Sequence, residues 1–317
     1  MSRKLILDLD TGIDDALAIA YALGSPEAEL IGITATYGNV LMERSVRNSL
    51  AVLDILGASS VPVHPGLPHS STTEDFSVQE ISAFIHGRNG VGEVDIAPSP
   101  LQRRGDRRRR LHHRGLAPLR RRARLRPHRA ADQPRRRPGE GPGPGRAPQG
   151  RPHGRRPVRL RERQPLGRGQ YQSGPRCRRR RVPLRHRRHH DRSRHDPADL
   201  LTYEQTRRWR ELGTPAGVFL ADMTDYYIKA YETTAPGLGG CGLHDPLAVA
   251  VAVDPTLVTA FPINLQVDVE GPTRGRTIGD ANRLNDPRKT SRAALGVDVD
   301  RFLEEFMSRI TSRLRAR

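Results

Sequence analysis

The chain has 317 residues, of which 28% are charged and only 4% aromatic, with a formal net charge of +19 and two cysteines, Cys177 and Cys241. Two cysteines exclude a disulfide framework, and no apolar stretch approaches the length of a membrane span. The charge is confined: residues 101–200 hold 34 of the 54 basic residues, all of them Arg, and the rest of the chain is net acidic.

Residues 4–9 read as a first strand. Arg3 and Lys4 precede only a three-residue apolar run, Leu5 to Leu7, so no signal peptide is expected and the expected compartment is the cytoplasm. The segment Asp8-Leu9-Asp10-Thr11-Gly12-Ile13-Asp14-Asp15 then places four carboxylates within eight residues. Carboxylates so close repel one another unless a cation neutralises them, and oxygen-only ligands suit a hard divalent ion, Ca²⁺ or Mg²⁺. Residues 14–24 read as a helix with Asp14 and Asp15 in its first turn, where acids are favoured.

Residues 29–36 form a second expected strand. Residues 42–56 place Val46, Leu50, Val52, Leu53 and Leu56 at helical spacing and end at Gly57. Residues 61–63 make a short third strand. After the central block, residues 203–212, 217–232 and 245–253 read as helices, 261–269 alternates like a strand, and 299–314 is an amphipathic terminal helix. Alternating strands and helices with short connections imply one α/β domain with a doubly wound, largely parallel sheet, in which ligands sit beyond the carboxyl ends of the strands. Asp10 and Asn39 lie at two such ends.

The block at 98–199 breaks this pattern. Residues 101–200 contain 13 Pro and 11 Gly, and no Ile, Phe, Met or Trp. Such a segment cannot offset its ordering entropy by burial, so disorder or misfolding is expected. Arg to the exclusion of Lys, mixed with Pro, Gly, Ala and His, fits GC-rich coding DNA translated out of frame. The competing reading is an Arg-rich insert that binds RNA or DNA through phosphates. That would make the chain a nucleic-acid-binding protein on a degenerate scaffold. Otherwise nucleic acid enters only as non-specific attraction to this block.

The D-x-D-x-x-x-D-D pattern at Asp8 to Asp15 resembles the N-terminal signature of the inosine-uridine nucleoside hydrolases. Three further stretches resemble that family: Ala35-Thr36-Tyr37-Gly38-Asn39-Val40, where it has a substrate-binding Asn; Ile85-His86-Gly87-Arg88-Asn89-Gly90-Val91-Gly92, similar to its H-G-x-[DN]-G-[LV]-G loop; and Leu243-His244-Asp245-Pro246-Leu247-Ala248, similar to its H-D-P-L-A block. The resemblance covers roughly residues 1–97 and 200–317, flanking the block at 98–199. Between Leu101 and Leu200 nothing reproduces the family's M-G-G strand end or its G-N…E-x-N segment, so activity of the chain as written is expected to be impaired.

The resemblance implies calcium-dependent hydrolysis of the N-glycosidic bond of ribonucleosides, a place in purine and pyrimidine salvage, a small-molecule nucleoside partner, no membrane, and a homo-oligomer of two or four chains. Asp10, Asp15 and Asp245 are the expected metal ligands, Asp14 the general base, and Asp8 a support that orients the loop. His244 is expected to assist departure of the base. Asn39 and His86 are expected to contact the substrate. Tyr227 and Tyr231, with Tyr226 on one helix, would border the nucleobase or form an ordinary core stripe. Asp8-Leu9-Asp10-Thr11 also bears a likeness to the D-x-D-x-T loop of haloacid-dehalogenase-type phosphatases. However, the three lysines, Lys4, Lys229 and Lys289, stand in no such context.

Overall fold

The computed structural model describes residues 2–70, 73–97, 99, 200–268, 272–273 and 275–316, all within one compact unit. Apart from Ser99, the segment 98–199 and the disorder expected of it lie outside the described residues.

Strand β1 (Arg3–Leu9) leads through the acidic loop into helix α1 (Ile13–Gly24), then strand β2 (Ala28–Ala35), helix α2 (Met42–Ile55), strand β3 (Val63–Pro65) and helix α3 (Glu80–His86). The three strands pair in parallel in the order β1-β2-β3. The third strand starts two residues later than the sequence suggests. Pro62 has no N–H to give a ladder, although its carbonyl accepts from Ile33 N at 2.9 Å.

Beyond residue 199 come helices α4 (Tyr203–Arg210), α5 (Pro215–Thr234) and α6 (His244–Val253), strands β4 (Val258–Ile263), β5 (Leu265–Val267), β6 (Thr277–Gly279) and β7 (Ser291–Val297), and helix α7 (Val299–Arg315). Helix starts follow capping rules: Thr214 accepts from Gly217 N with Pro215 at the first position, and Asp298 accepts from Arg301 N. The single strand expected over 261–269 is two strands. Asn264 interrupts it, donating to Arg283 O and accepting from Thr290 N, and the two halves pair antiparallel with different partners, β4 with β7 and β5 with β6.

Every residue of α1 from Ile13 to Ala22 is buried, as expected of a helix that is apolar on all sides. It packs against α2, α5, α6 and α7. The α7 contact uses Phe302, Phe306, Ile310 and Leu314, spaced four apart on one face. Phe306 stacks on Tyr21 with ring centroids 6.1 Å apart and lies 6.0 Å from Trp209 of α4. The helices approach so closely that a Cβ on Gly24 would lie 2.3 Å from the Arg309 carbonyl. This core fixes the direction of α1, and therefore where the acidic loop points. Among the described residues no helix is long and apolar enough to cross a membrane.

Phe306 is fully buried at the meeting of α1, α4 and α7. Phe306→Ala is expected to lower stability by about 3–5 kcal/mol in a urea titration, the usual cost of emptying such a position. A loss below about 1 kcal/mol would show that this junction does not hold the helices together.

Candidate active site

The acidic loop sits where β1 ends and α1 begins, and its carboxylates are buried. Asp10 is 4% exposed, Asp14 5% and Asp15 1%. Asp15 has a local structural role, since its Oδ2 accepts from Gly12 N at 2.9 Å and satisfies one N–H at the start of α1. Asp10 Oδ2 accepts from Asn39 N at 2.7 Å, and the Asn39 side chain donates to Asp15 Oδ2 at 3.3 Å. Asn39 thus ties the loop after β2 to the loop after β1. The tie is tight: a Cβ on Gly38 would lie 1.8 Å from Asp10 Oδ2, so only glycine fits there.

Asp245 arrives from the other end of the chain, in the first turn of α6. Helices α1 and α6 pack side by side, and each carries acids in its first turn, where the helix dipole favours negative charge. Carboxylate oxygens of Asp14, Asp15 and Asp245 all lie within 4.8 Å of one another. Asp10 stands beside this trio and feels the charge of Asp245. Asp14 Oδ1 is buried without a hydrogen-bond partner.

Burial first, and the charge of Asp245 second, push Asp10 up to about 7. The same two causes hold Asp14 and Asp15 well above the ordinary carboxylate range. At these separations two ionised carboxylates repel by about 3–4 kcal/mol per pair at an effective dielectric constant of 20. Hydrogen bonds to charged groups contribute about 1.5–3 kcal/mol each, so the Gly12 and Asn39 N–H groups cannot offset three such repulsions. Protons or a cation must do so. The donor set is all oxygen, with an orphaned buried oxygen among its members, and a hard divalent ion fits it.

The remaining expected residues converge on the same place, with one exception. His86, at the end of α3, is buried; its Nδ1 accepts from Ile13 N at 3.2 Å and lies 3.9 Å from Asp14 Oδ1. Burial, with the neighbouring charge of His244, lowers His86 to about 3, so the ring is neutral. Accepting at Nδ1 puts its proton on Nε2. Tyr227 stacks on His86 with centroids 5.4 Å apart, and its edge meets Tyr231 at 4.9 Å. The Tyr231 hydroxyl is 3.2 Å from Nε2 of His244, which is exposed at the start of α6. The exception is Asp8, exposed on β1 and accepting from Thr34 Oγ1 at 2.8 Å.

Helix α2 supplies residues that apolar periodicity alone does not reveal. Its buried face is Ser45, Asn48, Ser49, Ala51, Val52 and Leu53, while Val46 and Leu50 are only half-buried. The signal for this face is three polar residues at i, i+3 and i+4, the same spacing that marks an apolar stripe.

The sequence profile of the family described as inosine-uridine preferring nucleoside hydrolase matches residues 5–135 and 179–304. A solved structure, the purine-preferring ribonucleoside hydrolase from Gardnerella vaginalis, aligns with 99% of this chain and 100% of its own at 44% identity and a TM-score of 0.68. The inosine-uridine preferring nucleoside hydrolase of Leishmania major is 29% identical over 95% of each chain. The probable uridine nucleosidase 2 of Arabidopsis thaliana is 39% identical, but over only 32% of each.

Carboxylates that hold protons near neutrality must release them to the buffer when a cation binds. Divalent-ion affinity is therefore expected to rise with pH between about 5 and 8 and to be accompanied by proton release. Titration calorimetry at pH 6 in buffers of different protonation enthalpy should give buffer-dependent heats. Identical heats in all buffers would mean that the acids were already ionised.

Proposed function

The chain belongs to the inosine-uridine preferring nucleoside hydrolase family, a family of ribonucleoside hydrolases, and on that premise we propose that its acidic loop carries out Ca²⁺-dependent hydrolysis of the N-glycosidic bond of ribonucleosides. The observation that carries this reading is Asp14 Oδ1, buried and without a hydrogen-bond partner beside Asp15 and Asp245. An acceptor left open in this way can take a proton from an attacking water.

Asp10, Asp15 and Asp245 are the residues that would hold the ion. When bound, it supplies a water that ionises readily near neutral pH. Asp14 is the residue that would take a proton from the attacking water, and its elevated affinity for protons suits a base working near neutrality. The bond to the base breaks through a transition state with oxocarbenium character, and the concentrated negative charge stabilises the cationic sugar. Asn39 and the Nε2–H of His86 contact the ribose. His244, oriented by the Tyr231 hydroxyl, gives a proton to the departing base, and Tyr227 and Tyr231 border that base. Inosine and uridine are the first substrates to test, with the products used in salvage within the cytoplasm. Assembly as a homo-oligomer is part of the same proposal.

The Arg-rich block bears on activity. Strands of a parallel sheet are buried on both faces, yet Ile6, in the apolar run Leu5 to Leu7 of β1, is 44% exposed, and among the described residues β1 pairs with β2 alone. This supports the view that 98–199 is an out-of-frame stretch standing where central strands and ribose-binding residues belong, and that the chain as written is impaired.

In a frame-restored protein, Asp14→Asn is expected to lower kcat by about 10²–10⁴-fold while leaving Ca²⁺ affinity near that of the parent. Asp10→Asn should weaken Ca²⁺ binding, read by calorimetry, and the opposite pattern would exchange the two roles. Translating the coding DNA for residues 95–205 in all three frames should recover an M-G-G strand end. The chain as written should hydrolyse inosine far more slowly than the restored one, and equal rates would remove the case for a damaged centre.

A further inference from the structure

Helix α2 turns a polar stripe toward the acidic loop. Ser45, Asn48 and Ser49 are 0%, 1% and 0% exposed, on a face where a helix packed against a sheet ordinarily carries Leu or Ala. Ser45 Oγ donates to Leu9 O at 3.2 Å, and Ser49 Oγ lies 2.7 Å from Thr11 Oγ1. Asn48 uses both hydrogens of its amide nitrogen, donating to Thr11 O at 3.1 Å and to Asn89 O at 2.9 Å. Both partners are carbonyl oxygens, which accept only, so they fix which end of the amide faces them.

These two carbonyls belong to different loops. Thr11 follows Asp10 directly, and Asn89 lies in the turn after His86, the residue whose Nδ1 accepts from Ile13 N. The loops meet at Asn48 without room to spare. Gly90 has φ +81°, and a Cβ on it would lie 2.8 Å from Asn48 Nδ2 and 3.2 Å from Thr11 O. A donor pair is therefore built into a point where the acidic loop and the turn after His86 meet, beside the contact that His86 itself makes with Ile13 N.

We propose that Asn48 is a positioning residue: its two N–H groups set the spacing between the acidic loop and the loop that carries His86, and thereby the arrangement of carboxylates that a divalent cation meets. This rests on the metal-site reading above. Asn48 touches neither the cation nor the substrate and acts through Thr11 and His86.

The test uses the full chain carrying Asn48→Leu or Asn48→Asp, each lacking the donors, the latter with nearly the same shape. Asn264→Leu is the control. Asn264 is equally buried and bonds Arg283 O and Thr290 N at 3.0 Å each, between β4 and β5. Calorimetry with CaCl₂ gives affinity, and hydrogen exchange reports the Ile13 amide. Both Asn48 variants are expected to bind Ca²⁺ about 10–100-fold more weakly, the usual effect of losing a group that orients ligands, and to exchange the Ile13 amide faster. The Asn264 variant should lose thermal stability while keeping both properties. Parent-like affinity and Ile13 protection in the Asn48 variants would overturn the proposal, as would equal losses in the control. If Asn48→Leu does not fold, Asn48→Asp decides. A parent chain that binds no Ca²⁺ counts against the metal reading, and Ile13 exchange then decides the role of Asn48 by itself.

Discussion

Mutual repulsion of buried carboxylates is the constraint around which this molecule is arranged. Asp10, Asp14, Asp15 and Asp245 are drawn together at the start of two helices, where water screens them little. Ionised and unneutralised, they would drive the loop apart. Two surrounding features work against that repulsion, the helix dipoles and the N–H groups of Gly12 and Asn39, while Asp14 Oδ1 is left without a hydrogen bond. The same repulsion makes the site receptive to a cation and, in the proposed reaction, to a sugar that becomes positive.

Holding such a loop needs rigidity from outside it. The apolar core supplies part: α1 is buried on all sides and clamped by the aromatic contacts of α7. Helix α2 adds hydroxyl and amide groups that meet the Leu9 and Thr11 carbonyls and the Thr11 hydroxyl. Apolar packing fixes where a helix lies but leaves a neighbouring carbonyl free to rotate. A hydrogen bond of defined direction restrains that carbonyl, which accounts for polar residues on a face that packing alone would make apolar.

The two halves of the site are joined late in the chain. Asp245 and His244 are more than two hundred residues from Asp10 and reach it because α6 lies along α1. Arg3 strengthens this pairing, donating from the start of β1 to the Ala252 carbonyl near the end of α6 at 2.7 Å. Separation of this kind makes the site depend on the whole fold.

The sequence by itself determined where the acids are concentrated, because four carboxylates and a Gly fall within eight residues at the junction of the first strand and helix. It also determined the order of the main elements, since apolar spacing and turn residues act locally. It showed by composition that the basic charge belongs to one block. Tertiary structure decided what depends on distant neighbours. Only packing shows that Asp14, with Asp15 and Asp245, closes the tightest group of carboxylates while Asp10 is taken up by Asn39 N–H. Only packing shows that Asp8, two residues from Asp10, stays exposed beside Thr34. The buried face of α2 was legible as a polar stripe, but its meaning was not. A buried Ser or Asn is worth its desolvation only when an acceptor waits, and here the acceptors belong to loops more than thirty residues away along the chain.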